Sequence, residues 1–286
     1  MLKKELETAI ELARKASVAI MKIYHEGFEI EEKFINEHFS EPVTIADKTA
    51  SKIIVKGLAK AFPDDAVLSE EEPDDIERRL QKSRVWIIDP LDGTKGFTQK
   101  MGDFAVQIAL TENGEPLLGV VLQPIGNNLY FAVKNEGAFL QINNNQPKRL
   151  RVSEKTDFSE MTIAVSRSHR SKRMTKLIEH FNFKNEFQHG SVGLKVGFLT
   201  QKFADIYIHL SPHTKFWDTA APQIILEEAG GKLTDIFGGK IRYDIKDVRN
   251  HNGILSSNGI SHEKAVSHLK PLLTEFGRLR VKFAKQ

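Results

Sequence analysis

The chain has 286 residues, which is enough for one large domain or two closely joined halves with a sizeable core. The 41 Lys and Arg residues exceed the 38 Asp and Glu residues by only three charges, a field too weak to indicate a nucleic-acid partner. The absence of cysteine excludes disulfides, thiolate metal sites and cysteine nucleophiles.

The N-terminal region predicts an amphipathic helix rather than a targeting segment. Apolar residues recur with helical spacing from Leu2 to Ile23, and acidic residues lie between them. No apolar run is long enough for a transmembrane helix. The pattern predicts a cytoplasmic protein and leaves peripheral membrane association open, and the oligomeric state, monomer or homodimer, is equally open.

Beyond this helix, the first half predicts a second helix and several strands. The helix covers 43–61; apolar or alternating runs predict strands at 66–68, 85–88, 104–110, 117–122 and 129–133, with turn signals between the last three. The polar run 143–147 is the candidate loop between an N-terminal α+β half, 1–150, and a C-terminal α/β half, 151–286. We expect the two halves to form one compact catalytic unit.

The second half alternates strands and helices. Strands are predicted at 161–165 and 204–209, and helices at 171–181, 193–201 and 219–229. Interspersed helices and strands of this kind favour a layered α/β or α+β fold.

One segment joins a predicted strand to two carboxylates. Asp89 and Asp92 lie three residues apart, and Gly93 and Thr94 follow directly. If a helix begins after Gly93, its free backbone amides can bind an anion beside the carboxylates. Carboxylates for a divalent cation and amides for phosphate oxygens are the parts of a Mg²⁺-dependent phosphoryl-transfer site. The alternative is an ordinary turn in which Asp caps a helix.

Three further acids occur where a structural role is the simpler interpretation. Glu70 belongs to an acidic run that fits a solvated loop. Asp47 and Asp218 each lie near the start of a predicted helix, where an acid caps the helix or interacts with its dipole. Taken singly, none of them indicates a catalytic site.

Taken together and in this order, the segments resemble the lithium-sensitive inositol monophosphatase superfamily over about residues 5–260. Asp89-Pro90-Leu91-Asp92-Gly93-Thr94 resembles its first signature, and Trp217-Asp218-Thr219-Ala220-Ala221-Pro222 resembles its second. The resemblance implies an α-β-α-β-α sandwich with mixed, largely antiparallel sheets. Within the superfamily the chain is most similar to the CysQ-type 3′(2′),5′-bisphosphate nucleotidase branch, although Gly96 stands where that branch has Glu.

The resemblance also implies a site with two or three Mg²⁺ ions. Glu70, Asp89 and the Leu91 carbonyl would hold the first ion. Asp89, Asp92 and Asp218 would hold the second, and Glu70 would help to hold a third.

The implied catalytic residues are Asp47, Thr94 and Glu70. Asp47 and Thr94 would orient or deprotonate the attacking water, and the amides of Gly93 and Thr94 would hold phosphate oxygens.

The implied reaction removes the 3′-phosphate of adenosine 3′,5′-bisphosphate to give AMP, an activity of sulfur metabolism. The partner is then a small phosphorylated nucleotide, contacted by Ser168, His169, Ser191 and Lys195. An inositol monophosphatase or sugar phosphatase would use the same metal site. An inactive nucleotide- or Mg²⁺-binding regulator is the alternative of another class, which the presence of every expected acid disfavours.

Overall fold

The computed structural model describes residues 2–36, 39–167 and 170–281. Within these residues the helices are α1 (Lys3–Glu26), α2 (Ile45–Ala61), α3 (Ile76–Gln81), α4 (Thr94–Thr98), α5 (Lys172–Phe181), α6 (Val192–Thr200), α7 (Phe216–Glu228) and α8 (His262–Glu275). The strands of the first half are β1 (Ile30–Asn36), β2 (Phe39–Thr44), β3 (Ala66–Ser69), β4 (Arg84–Asp92), β5 (Ala105–Glu112), β6 (Glu115–Gln123), β7 (Asn128–Val133), β8 (Gly137–Ile142) and β9 (Lys148–Arg149). Those of the second half are β10 (Thr162–Ser166), β11 (Asn185–His189), β12 (Ile206–His209), β13 (Lys232–Thr234) and β14 (Ile254–Ser257).

Two large sheets organise the described residues. The first has the order β3-β4-β5-β6-β7-β8-β9 and is antiparallel except for the β3–β4 pair. The second has the order β11-β10-β12-β14-β13, with β10 parallel to both of its neighbours and the other pairs antiparallel. Strands β1 and β2 form a separate antiparallel hairpin. The sheets are therefore mixed and largely antiparallel, as predicted.

Alternation along the central strands sorts side chains into three apolar layers. In β4, Trp86 and Ile88 pack with α1 and α2, whereas Val85 and Ile87 face the layer between the sheets, which contains α6 and α7. Helices α5 and α8 cover the far face of the second sheet. The result is the α-β-α-β-α sandwich that the sequence predicted.

Helix α7 lies in the middle layer, where apolar side chains surround it. Ten of its residues between Phe216 and Leu226 are buried, which is typical of a helix enclosed on all sides. Asp218 is the charged residue in its first turn. Packing between the two sheets thus gives Asp218 a fixed position.

The structure corrects the starts of two predicted helices and adds elements that the sequence patterns did not reveal. The helix expected over 219–229 is α7, which begins at Phe216. We expected a helix over 43–61, but Val43 and Thr44 close β2 and the helix begins at Ile45. The cause is a capping box, in which Thr44 caps the helix and Asp47 accepts from the Thr44 amide. The added elements include α8 and the edge strand β11, whose sequence Asn-Glu-Phe-Gln-His is mostly polar. Across the described ranges, no helix combines the length and the apolarity needed to cross a bilayer.

His262, the first residue of α8, is fully buried between two hydroxyl groups. Its Nε2 lies 2.9 Å from Thr234 Oγ1, which donates its own proton to the Asp235 carbonyl, and its Nδ1 lies 2.8 Å from Ser257 Oγ. His262 therefore donates through Nε2, and in the neutral imidazole Nδ1 accepts from the Ser257 hydroxyl. Burial lowers the pKa of His262 to about 4.

We predict that His262 makes the folded protein less stable as the pH falls from about 6.5 to about 4. Asp47 and Asp89, whose pKa values are raised, act in the opposite direction, so the contribution of His262 is the difference between wild type and a His262 variant. Unfolded His262 takes up a proton near pH 6.5, whereas folded His262 does so only near pH 4, so acid favours the unfolded chain by roughly 2–3 kcal/mol. Urea unfolding across this range measures the slope. His262→Gln should lose less stability on acidification than wild type does, and His25→Gln, a change of an exposed histidine, should behave as wild type. Equal slopes for wild type and His262→Gln would contradict the assignment.

Candidate active site

Three carboxylates from distant parts of the chain meet where the two sheets face each other. Oxygen atoms of Asp89, Asp92 and Asp218 all lie within 4.8 Å of one another. Asp89 and Asp92 come from the end of β4, and Asp218 comes from the first turn of α7. We call these three residues the carboxylate cluster.

A bulge in β4 places two members of the cluster on one side. Two residues lie between Asp89 and Asp92, whereas only one lies between their partners Gln107 and Ala105 in β5. The Leu91 amide donates to Asp89 Oδ1 over 3.0 Å. The bulge thus turns Asp92 back towards Asp89 without breaking the strand.

Asp92 accepts four hydrogen bonds. Ser191 Oγ (2.5 Å) and the Val192 (3.1 Å) and Gly193 (2.7 Å) amides at the start of α6 donate to it, and so does Gln107 Nε2 (2.8 Å). These bonds fix the direction of the carboxylate and connect the first sheet to α6. The Ser191 hydroxyl proton is directed at Asp92, 99 residues away, and its oxygen accepts from the Leu194 amide. Ser191 also lines the adjoining cavity, and substrate contact by Ser191 stays a prediction.

Asp89 is almost completely buried beside other acids. Burial raises its pKa well above the usual value, and the charges of Glu70, Asp92 and Asp218 raise it further. Two unit charges about 4 Å apart near a protein surface repel by about 4 kcal/mol. The cluster is therefore unfavourable for the protein alone.

The chemistry of the cluster fits a divalent cation. Hard cations such as Mg²⁺ bind carboxylate oxygens, and a cation would remove the repulsion that raises the pKa of Asp89. Asp89, Asp92 and Asp218 would hold it, and the Leu91 carbonyl lies beside them in the bulge.

Glu70 lies at the edge of this arrangement. It follows β3, raises the pKa of Asp89 through its charge, and lies outside the cluster of three. Its Oε1 lies 3.8 Å from Lys215 Nζ. The Lys215 amide in turn donates to Asp218 Oδ2 over 2.5 Å, so Asp218 both caps α7 and belongs to the cluster. For Asp218, capping and a functional role are compatible.

Asp47 and Thr94 form a pair beside the cluster. Thr94 Oγ1 lies 3.0 Å from Asp47 Oδ1 and 3.2 Å from the Leu91 carbonyl. Burial raises the pKa of Asp47 to about 6, although hydrogen bonds from Thr44 and Thr94 oppose the shift. Gly93 precedes Thr94 with φ +97°, a left-handed conformation, and a Cβ there would lie 2.3 Å from the Asp103 carbonyl. Glycine is required at this position for both reasons.

A cavity of about 380 Å³ extends from Asp92 and Gly93. Its walls carry three cationic side chains, those of Lys95, Arg167 and Lys195. Lys195 is buried, donates to the Gly190 carbonyl over 3.2 Å and lies 5.0 Å from the centre of the Tyr207 ring. Burial lowers the pKa of Lys195 to about 8, although Asp92, Asp218 and Asp103 oppose the shift.

Most of the residues singled out from the sequence therefore lie in one region. Ser168 and His169 lie outside the described residues. Sequence reasoning missed Gln107, Asp103 and the position of Arg167. A polar residue inside the apolar run of β5 was the available signal for Gln107.

Comparisons with known proteins identify the family that the sequence motifs resemble. A model of the inositol monophosphatase family matches residues 1–273. The CysQ 3′(2′),5′-bisphosphate nucleotidase of Salmonella typhimurium is 36% identical over 240 residues, which is 83% of this chain and 93% of that protein.

Solved structures share the fold. CysQ from Bacteroides thetaiotaomicron, 30% identical, superposes with a TM-score of 0.75 over 89% of this chain and 97% of its own. The Thermotoga maritima IMPase, 29% identical, superposes with a TM-score of 0.80 over 96% of this chain and 100% of its own. The predicted fold class is confirmed.

We predict that Mg²⁺ stabilises the protein through the carboxylate cluster. Mg²⁺ at about 100 times its dissociation constant should add about 2.7 kcal/mol, a rise of a few degrees in the midpoint of thermal unfolding. Asp89→Asn and Asp218→Asn should lose this rise while the metal-free midpoint stays equal or increases, because one repelling charge is removed.

The matched control is Asp64→Asn, which removes an exposed carboxylate and should keep the full response to Mg²⁺. If Asp89→Asn responds to Mg²⁺ as wild type does, the ion binds elsewhere.

Proposed function

Since the chain belongs to the inositol monophosphatase family, we propose that it is a Mg²⁺-dependent phosphatase that removes the 3′-phosphate of adenosine 3′,5′-bisphosphate to give AMP. The observation that carries the choice of substrate is the cavity, which extends from Asp92 of the carboxylate cluster and has three cationic side chains along its walls. A substrate with one phosphate to be cleaved and a second phosphate to be held matches this distribution of charge. The relatives that are named 3′(2′),5′-bisphosphate nucleotidase support the same substrate.

In this proposal Asp89, Asp92, Asp218 and Glu70, with the Leu91 carbonyl, hold two or three Mg²⁺ ions. Bound Mg²⁺ would offset the negative charge of carboxylates and phosphate and would polarise the phosphate oxygens. The hydrogen bonds that Asp92 and Asp218 accept hold their carboxylates in place before the substrate arrives.

Asp47 and Thr94 handle the proton of the attacking water. The Thr94 hydroxyl donates to Asp47, so its oxygen lone pairs are available to accept from a water molecule. When the water attacks, its proton can pass to Thr94 Oγ1 while the Thr94 proton passes to Asp47. The pKa of Asp47, raised to about 6, makes it a stronger base near neutral pH than an ordinary aspartate.

The substrate would be oriented by backbone and side-chain donors. The amides of Gly93 and Thr94 open α4 beside the cluster and would bind oxygens of the phosphate that is cleaved. Lys195 would bind the other phosphate, because a buried ammonium beside a cavity gains most from an anionic ligand. Ser191 would contribute through Asp92. Ser168 and His169 stay sequence-based predictions of substrate contact.

An inositol monophosphatase is the second candidate, because the Thermotoga maritima IMPase shares the fold over the whole of its chain. Phosphate release from adenosine 3′,5′-bisphosphate, inositol 1-phosphate and fructose 1,6-bisphosphate, measured side by side with Mg²⁺, separates the candidates. We expect the nucleotide to have the highest kcat/KM, with activity lost in chelator and inhibited by Li⁺. A clear preference for inositol 1-phosphate would refute the nucleotide assignment.

We predict that Thr94→Val lowers kcat by about 10²- to 10⁴-fold with little change in KM, because it removes the hydroxyl that links water to Asp47. Thr94→Ser keeps the hydroxyl and should retain most of the activity. Steady-state kinetics with the preferred substrate measures both. Activity near the wild-type value in Thr94→Val, or a larger loss in Thr94→Ser than in Thr94→Val, would contradict this role of the hydroxyl.

A further inference from the structure

A buried carboxylate outside the proposed mechanism, Asp103, lies in the wall of the cavity. Arg167 Nη1 lies 2.6 Å from its Oδ2, His189 Nε2 lies 3.1 Å from its Oδ1, and the Gly190 amide donates to it over 3.0 Å. Asp103 lies between α4 and β5, whereas all three partners belong to the second half of the chain. The carboxylate therefore connects the two halves at the cavity.

The backbone around Asp103 is packed too closely for side chains. A Cβ at Gly96 would lie 2.8 Å from Asp103 Cβ, and one at Gly190 would lie 2.7 Å from the same atom. Real Cβ contacts are longer than this, so both positions accept only glycine unless Asp103 moves. The close packing of Gly96 and Gly190 therefore fixes the position of the Asp103 side chain.

Among the three partners, Arg167 is the one whose charged side chain lines the cavity and remains partly exposed. Its side chain is 36% exposed, whereas that of Asp103 is 6% exposed. Its Nη2 lies 3.4 Å from the Gln188 carbonyl. A guanidinium has five N–H groups in a planar fork, so it can contact one carboxylate and still bind a phosphate through other donors.

We propose that Arg167 binds the second phosphate of the substrate, the one that is not cleaved, and that Asp103 holds the Arg167 side chain in position for this contact. This inference rests on the proposed function. Asp103 is a positioning residue, because it acts through Arg167. Arg167 is a specificity-determining residue, because a substrate without the second phosphate offers it no ligand.

Paired substrates test Arg167. Arg167→Gln should raise KM for adenosine 3′,5′-bisphosphate by about 10- to 100-fold, the loss expected for a charge-assisted hydrogen bond. KM for adenosine 3′-monophosphate, which lacks the second phosphate, should change by less than about twofold, and kcat should stay near the wild-type value for both. An equal change in KM for the two substrates, or a loss confined to kcat, would overturn the proposal.

A double-mutant cycle tests Asp103. Asp103→Asn alone should raise KM for the bisphosphate, but in the Arg167→Gln background it should add little, since its target is gone. An Asp103 that merely stabilises the fold would add its full effect in both backgrounds. The matched control is Arg242→Gln, which breaks an Arg–Asp pair with Asp244 away from the cavity and should leave both KM values unchanged.

Sulfate binding separates failure of this inference from failure of the proposed function. In chelator and at constant ionic strength, sodium sulfate should raise the thermal midpoint of wild type and Arg242→Gln more than that of Arg167→Gln. If nucleotides prove to be poor substrates but this difference is found, the proposed function fails and Arg167 stands as an anion-binding residue. If sulfate stabilises Arg167→Gln as much as wild type, the inference is wrong whatever the substrate.

Discussion

The structure depends on holding three carboxylates together where water is largely excluded. Asp89, Asp92 and Asp218 repel one another, and burial adds to the cost of the Asp89 charge. The fold tolerates this arrangement because each member has a fixed donor: the Leu91 amide for Asp89, the Lys215 amide for Asp218, and four donors for Asp92. The carboxylates repel one another without a cation, and a bound cation would remove that repulsion. This is the arrangement expected of a cation-binding site.

The layers of the fold explain how these donors reach the cluster. Strand β4 lies inside the first sheet with apolar side chains on both faces, so its bulge at 89–92 is held from both sides. Helices α6 and α7 lie in the layer between the sheets and direct their N-terminal turns at the end of β4. The middle layer is therefore where the two halves of the chain combine into one site.

Local sequence patterns predict the helices and strands that carry the acids, but they do not predict contacts between residues that are distant in the chain. The apolar run before Asp89 and the helix after Trp217 are visible in periodicity, and the order of the acidic segments identified the family. The bond from Ser191 to Asp92 spans 99 residues, and the ion pair of Asp103 with Arg167 joins the two halves. No pattern within a short window encodes such pairs, so the sequence does not reveal the bond from Ser191 to Asp92 or the role of Asp103.

In the proposed function, recognition of the cation and recognition of the substrate are physically connected. The segment 189–193 donates to Asp92 through Ser191, Val192 and Gly193, and to Asp103 through the Gly190 amide. His189 Nε2 lies 3.1 Å from the same Asp103 carboxylate. A shift of this segment would therefore change the direction of a cluster carboxylate and the wall of the cavity together. Ser191 holds the segment in a left-handed conformation, φ +43°, that a non-glycine residue rarely adopts, and its two hydrogen bonds offset that strain. The strained turn at Ser191 therefore fixes both the direction of the Asp92 carboxylate and the shape of the cavity wall.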